Sequence, residues 1–499
     1  MSAGVGRRGF VGGVAGTAAG FMFGQAPQAP FTVAPMSIPE LTDWENHRGL
    51  ALVDRYPSSD SWDSSRIANA IEDALTRGLG GVLFSARDYD LNVPVVIPPV
   101  DGFILQGIRG QTRFTRTANG VTGTAFRMAP PIGTTIKNIV FDGLTFWGGM
   151  TNIADLGTRR ARRSGSGATE SEGGAEIVFS DARLRAAISC EGDLAKYWNS
   201  AGDDVPNQYG VTRDVYVRNC EFVGLQGLPV FFRGARGVSS VESSRFQRCL
   251  DPGWVYCEDA RFEHNLSEYS MDNGCSLSRG CVNVRAVGNT IIAPWFNGIW
   301  VGGFRQDPPT GSTPSPKPTF GPRNVVVESN TITRAGEYGI YGRDSYGRFV
   351  LVGNNILDTI PPEGTGATRG AGIVIDAWSA DEMPLSVTIN GNTIDGVARS
   401  CIDVRNARSV TISGNTLRTV GSKTNPDGTI RPGQATQRVG VYVGGLNALT
   451  VVAVVGNTIA DQRGAASAMF FGISIPAGAG ARVVEGNAVF GAENGNNLP

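Results

Sequence analysis

The sequence predicts an all-β solenoid, and three observations carry that prediction. A turn residue recurs at a short interval, a glycine marker keeps step with it, and β-branched residues alternate between the two. The turn residue is an asparagine, at Asn289, Asn330, Asn354, Asn392, Asn415, Asn457 and Asn487, each followed two positions on by Ile, Leu or Val. Cys220, Ser244 and Asn265 fill the same slot upstream. Several steps are short, at 24 residues (220 to 244, 265 to 289, 330 to 354) or 23 (392 to 415), and the long ones contain inserts. The glycine marker reads Gly298-Ile299, Gly339-Ile340, Gly372-Ile373, Gly440-Val441 and Gly472-Ile473.

Units of this length, made of short I-x-I or V-x-V runs separated by Gly and Asn, contain strands and turns and bury their apolar side only by stacking. A coil of about 22 to 24 residues with three short strands is the right-handed parallel β-helix. Asparagine suits the marker slot because it tolerates left-handed backbone geometry and can bond its side chain to the next turn, so that stacked asparagines form a ladder. A β-sandwich of many short strands would not place one turn residue in register.

The GNTI and GI-x-I repeats resemble the pectate-lyase-like parallel β-helix superfamily of polysaccharide lyases, epimerases and glycosidases. The run DNGCSLSRGCVNVRAVGNTI, continued by NGIWVGGF, is more narrowly similar to the central β-helix of bacteriophage tailspike and appendage proteins. The resemblance spans residues 60 to 490 and implies a fold, with no catalytic motif to carry over residue by residue.

A continuous repeat makes the 499 residues one elongated domain. A net charge of -1 gives the chain no electrostatic reason to bind nucleic acid and is compatible with a sugar polymer. Residues 1 to 30 carry Arg7-Arg8 before a Gly/Ala-rich apolar run, which resembles a bacterial twin-arginine export signal. That run is too short for membrane insertion. Ala26 and Ala29 are cleavage candidates, though each is followed by proline. The expected localisation is secreted or periplasmic; the other reading of the segment is a virion-anchoring arm, with the chain in a phage particle. The seven cysteines have no zinc-finger spacing and read as buried thiols without disulfides.

In chain order, residues 31 to 60 read as a leader and 61 to 135 as an N-terminal cap with a helix over Ser64 to Arg77, capped by Asp63 or Ser64. The β-helix proper is expected over 136 to 491, with Ile139 to Phe146 in its first full coil and a polar tail at 492 to 499. Inserts fall near 150 to 210, 303 to 322 and 421 to 437, and on a solenoid such inserts gather on one, often functional, face. Thr158 to Gly174, with its RRARR run, reads as a mobile, solvated loop.

In a G-I-x-I-x strand the Ile positions point inward and the x positions outward. The outward stripe then holds Glu191, Arg233, Glu258, Ser276, Ser278, Trp300, Tyr341, Arg343, Asp376, Asp403, Arg405 and Tyr442. Carboxylates, arginines and aromatics together suit a sugar-binding groove. Glu191, Arg233, Asp251, Glu258 and Asp272 form the expected catalytic cluster, where paired acids would serve glycoside hydrolysis. Trp300, Tyr341, Arg343, Asp376, Asp403, Arg405 and Tyr442 form the expected substrate-binding set. The acid and arginine pairs within it suit β-elimination, and they suit still better a plain structural salt-bridge ladder, since surface ion pairs are common.

With His47 and His264 the only histidines, a transition-metal site is not expected. No cofactor is expected, with calcium left open through acidic side chains. The expected partner is a polysaccharide, and a homotrimer is an assembly open to the fold. The reading is a carbohydrate-active β-helix enzyme that cleaves or modifies a polysaccharide by hydrolysis or β-elimination. The alternatives are a phage tailspike or appendage binding a cell-surface glycan and a non-catalytic surface adhesin.

Overall fold

A computed structural model describes residues 49–498 apart from 59–60, 116–123, 150–159, 164–168, 173–183, 185, 196, 199–203, 206, 226, 304–320, 345–346, 360–369, 378–382, 422–437, 446–450, 462–468, 477–479 and 497. The expected export segment, most of the leader and the interiors of the 303 to 322 and 421 to 437 inserts therefore lie outside the described residues.

The chain winds as a right-handed parallel β-helix of three sheets, here I, II and III, with 14, 13 and 12 strands. A typical coil runs Arg323–Glu328 in sheet I, Thr331–Thr333 in sheet II and Tyr338–Arg343 in sheet III. Each strand pairs in parallel with its counterpart one coil away, as Ile291, Ile332 and Ile356 do in sheet II. Inward positions stack like on like. Phe114, Phe146, Phe222 and Phe246 form a ladder with ring centroids 5.2, 5.3 and 4.7 Å apart, and after the buried Ser267 the same column continues through Ile291, Ile332, Ile356 and Ile394. Each of these isoleucines is fully buried, which stabilises the fold by about 1.5–3 kcal/mol per side chain.

The asparagine ladder forms at the turn from sheet I to sheet II, with a refinement. The left-handed residue is the one before the marker: His264, Gly288, Ser329, Gly353, Gly391, Gly414, Gly456 and Gly486 have φ between 56° and 66°. The asparagine itself turns inward instead. Asn354 Oδ1 accepts from Asn330 N (3.1 Å) and Asn330 Nδ2 (2.9 Å), while its Nδ2 donates to Val327 O (2.9 Å) and Asn392 Oδ1 (2.9 Å). All four valences of the carboxamide are used, and the pattern repeats from Asn265 to Asn457. The glycine marker has a different cause. A Cβ on Gly339 would lie 2.5 Å from Ile356 Cγ2 and 2.7 Å from Gly372 O, so close approach of coils at the start of sheet III excludes any side chain.

The coils begin earlier than expected. Gly81–Leu83, Asp88–Asp90 and Val95–Ile97 already contribute to sheets I, II and III, so the expected cap is itself solenoid, and Ile139 to Phe146 falls in the third coil. Leu50–Leu52, inside the expected leader, is the outermost strand of sheet I and pairs with Gly81–Leu83. Helix α1, Asp63–Thr76, packs Ile67, Ala70, Ile71 and Ala74 onto this first coil. Neither expected cap holds the helix: its N-cap is Trp62 without a side-chain bond. Asp63 instead receives Arg87 (2.8 Å), and Ser64 Oγ accepts from Asn92 N (3.1 Å). Part of the expected mobile loop is a hairpin, with Arg160–Arg163 antiparallel to Thr169–Glu172. All seven cysteines are free and buried.

Candidate functional site

Sheet III is where the solenoid departs from monotony. From the third coil on, turns from sheet I to sheet II stay at two residues, such as Gly353-Asn354 and Gly391-Asn392. The long connections all border sheet III: 148–185, 358–370, 421–438 and 461–470 lead into it, and 192–210 and 303–322 leave it.

Two outward columns run along sheet III. The first places Ser276, Trp300, Tyr341, Val374, Asp403 and Tyr442 on successive coils. The second places Glu191, Arg233, Val255, Ser278, Gly302, Arg343 and Asp376 in register, and the pairing of Ile375 with Val404 sets Arg405 next in line. Every member of the stripe read from the sequence lies in these columns except Glu258.

Glu258 is a correction. It follows the turn out of sheet III, where its carboxylate accepts from Gly237 N (2.7 Å) and pairs with Arg236 Nη1 (3.3 Å). The expected catalytic cluster is accordingly not gathered. Asp251 is buried in the loop before sheet III and accepts from Ser276 Oγ and from Asn273 Nδ2 (3.3 Å). Asp272 lies in the corresponding loop one coil on, also bonded to Asn273 Nδ2 (3.1 Å). Glu191 and Arg233 stand at the opposite, exit end of their strands, where Arg233 lies 5.4 Å over the Phe231 ring.

The expected substrate-binding residues, by contrast, come together on consecutive coils. Asp403, only 1% exposed, takes two bonds of 2.8 Å from Arg405 and lies 3.5 Å from Arg399 Nη2. Arg405 also lies 5.5 Å over the Tyr442 ring. Arg343 pairs with the buried Asp344 (3.4 Å). Tyr341 packs edge-on against both Trp300 and Tyr338, each at 4.9 Å. Trp300 is a further correction to an exposed sugar platform, because its ring folds over Gly302 and leaves 7% of the residue exposed. Sequence reasoning misses Arg399 and Tyr338, which precede the outward x positions used to draw the stripe.

Asp376 differs from its neighbours. It sits half-buried between Arg343 and Arg405 in the second column, accepts from Ala377 N (2.8 Å), and forms no salt bridge among the described residues. Burial raises its pKa above the ordinary carboxylate value, and the attraction of Arg405 and Arg343 does not offset it. Burial likewise pushes the Tyr341 hydroxyl up. Among the described residues no group of three or more His, Cys, Asp or Glu side chains is arranged to hold a metal ion. The acids nearest one another, Asp344, Asp376 and Asp403, alternate with arginines, which is a poor donor set for calcium. No helix among the described residues is long and apolar enough to cross a membrane.

These features define a right-handed parallel β-helix fold. A family profile described as right handed beta helix region matches residues 319–417. Among solved structures, the catalytic unit of a thermostable α-1,3-glucanase from Streptomyces thermodiastaticus is similar at 14% identity and TM-score 0.51, over 90% of this chain and 70% of that one. PfbA, a surface adhesin of Streptococcus pneumoniae, is similar at 13% identity and TM-score 0.50, over 90% of this chain and 93% of that one. No curated protein matches the chain by sequence.

Proposed function

We propose that this β-helix is a carbohydrate-active enzyme that binds a polysaccharide along the outer face of sheet III and cleaves it. The observation that carries the reading is the pair of in-register columns on that sheet, in which Tyr341, Tyr442, Arg343, Asp376 and Arg405 fall on consecutive coils. Coils lie about 4.8 Å apart, so adjacent sugar units of an extended chain meet side chains from neighbouring coils. Aromatic faces suit sugar C–H surfaces, and the charged groups suit hydroxyls, carboxylates and the bond to be broken. The working region is the stretch of coils from Tyr338 to Gly444, since the acids of the other cluster are dispersed or committed to internal bonds.

Incubation with α-1,3-glucan, β-1,3-glucan, alginate and polygalacturonate tests this, following reducing ends and the absorbance of unsaturated uronates. New reducing ends that Tyr442→Ala and Arg405→Ala diminish would support it. Binding without cleavage would make the chain a glycan-binding protein, and neither binding nor cleavage would overturn the assignment of sheet III. We propose further that the Arg7-Arg8 segment directs export by the twin-arginine route; a reporter fused to residues 1 to 40 that stays in the cytoplasm would refute it.

A further inference from the structure

Three described acids stand on or directly after the sheet III strands of the working coils, Asp344, Asp376 and Asp403, and two of them are tied to arginines. Asp403 is held by Arg405 and Arg399, and Asp344 by Arg343. Asp376 lies between these pairs on the outer surface of sheet III. Its one bond among the described residues comes from the backbone of Ala377, and that bond engages Oδ1 alone. Asp403 lies one coil on in the neighbouring column, opposite Val374. The two carboxyl groups are therefore diagonal neighbours across adjacent strands, their backbones separated by roughly 7–8 Å. The two acids share a surface but differ in surroundings. One is saturated by guanidinium groups and the other by little more than packing.

We propose that Asp376 is the general acid of a glycoside hydrolysis on this face, a role that rests on the polysaccharide-cleaving reading above and narrows it from cleavage in general to hydrolysis. The Asp376 carboxyl gives its proton to the glycosidic oxygen as the bond from that oxygen to the anomeric carbon breaks. Water adds to the anomeric carbon, its released proton passes to solvent, and Asp376 regains a proton from solvent. One water is consumed and two hydroxyl ends are formed. A proton donor for this step must keep its proton near neutral pH, and the half-burial of Asp376 acts in that direction. Arg343 and Arg405 face it from the preceding and following coils, with Asp403 and Asp344 behind them and Tyr341 and Tyr442 in the other column. The arginines favour the carboxylate left after proton transfer, so the same neighbours that do not offset the effect of burial on Asp376 ease its ionisation during the step.

The test uses the full chain and whichever polysaccharide of the four named above the wild type cleaves. Asp376→Asn is compared with wild type on that polymer and on the glycosyl fluoride of the same sugar, whose leaving group needs no protonation. The expected result is a loss of roughly 10²–10⁴-fold in kcat on the polymer with KM little changed, and a far smaller loss on the fluoride. The alkaline limb of the kcat/KM profile should disappear with Asp376→Asn and persist in Asp376→Glu. Activity on the polymer within a few-fold of wild type, or equal losses on polymer and fluoride, would overturn the assignment while leaving the polysaccharide reading intact. New absorbance from unsaturated uronates would show elimination and overturn it as well. A wild-type chain that binds but cleaves none of the four would overturn both.

Discussion

Replacing Asn354 by alanine is expected to open the ladder in the middle of the solenoid. The side chain is fully buried and makes four hydrogen bonds, two accepted from Asn330 and two donated to Val327 and Asn392. Alanine leaves two donors of Asn330 without an acceptor where water does not reach. At about 1–3 kcal/mol for each unsatisfied buried group, the cost is roughly 2–6 kcal/mol. The adjacent Asn355 is the control, because it points outward from sheet II, and its replacement by alanine should cost less than about 0.5 kcal/mol. A stack of coils need not unfold as a single unit, so local native-state hydrogen exchange is the assay, with the urea midpoint beside it. Amides of coils 325–357 should exchange at least about 30-fold faster in Asn354→Ala, since each 1.4 kcal/mol is a factor of ten. Equal effects of the two substitutions would refute the claim that the ladder, and not asparagine content as such, holds the turns.

Other outcomes follow from the same geometry. Gly391→Asn should be nearly neutral, because φ of 63° with open space around it is a conformation asparagine tolerates, whereas Gly339→Asn should destabilise through collision with Ile356 and Gly372; equal stabilities by thermal melting would contradict this. At Asp54, burial works against ionisation, yet bonds from Ser85, Arg87 and Tyr89 prevail and hold its pKa below the ordinary value. A depressed folded pKa gives stability that is present above the unfolded value of about 3.9 and is lost as pH falls through the folded one. Acid titration should therefore loosen the first coils below about pH 4, and Asp54→Asn, less stable at neutral pH, should lack that dependence. None of the seven thiols should react with a thiol reagent in the native chain, and all seven should react in denaturant; rapid native labelling would contradict their burial.

The solenoid was legible because its rules are local and repeated. Asn289-Thr290-Ile291 and Gly298-Ile299 each state a turn, an inward residue and a close approach, and the next coil states them again. The left-handed residue, however, is Gly288 and not Asn289, and the sequence offers no cause for Gly298, which is required by the neighbouring Gly339 carbonyl 2.4 Å from its would-be Cβ. Neither fact is visible without the adjacent coil.

The candidate site shows the boundary more sharply. Strand alternation alone placed Arg343, Asp376, Asp403 and Arg405 on one face, because a period of two fixes which side of a sheet a residue occupies. It gave no reason to prefer Asp376 over Asp251 or Glu258, and placed Glu258 on a stripe to which it does not belong. Asp403 and Asp344 take their arginines from within their own coil, but which carboxyl is sealed by Ser276 and which stands half-buried depends on residues far apart in sequence meeting across coils, as Ser276 and Asn273 meet Asp251. The sequence by itself therefore determined the coil, its period and the face that carries the polar columns. Only the tertiary structure decided which of those groups are committed and which remain for chemistry, since burial belongs to the stacked coils and strand alternation does not say which neighbouring charges pair.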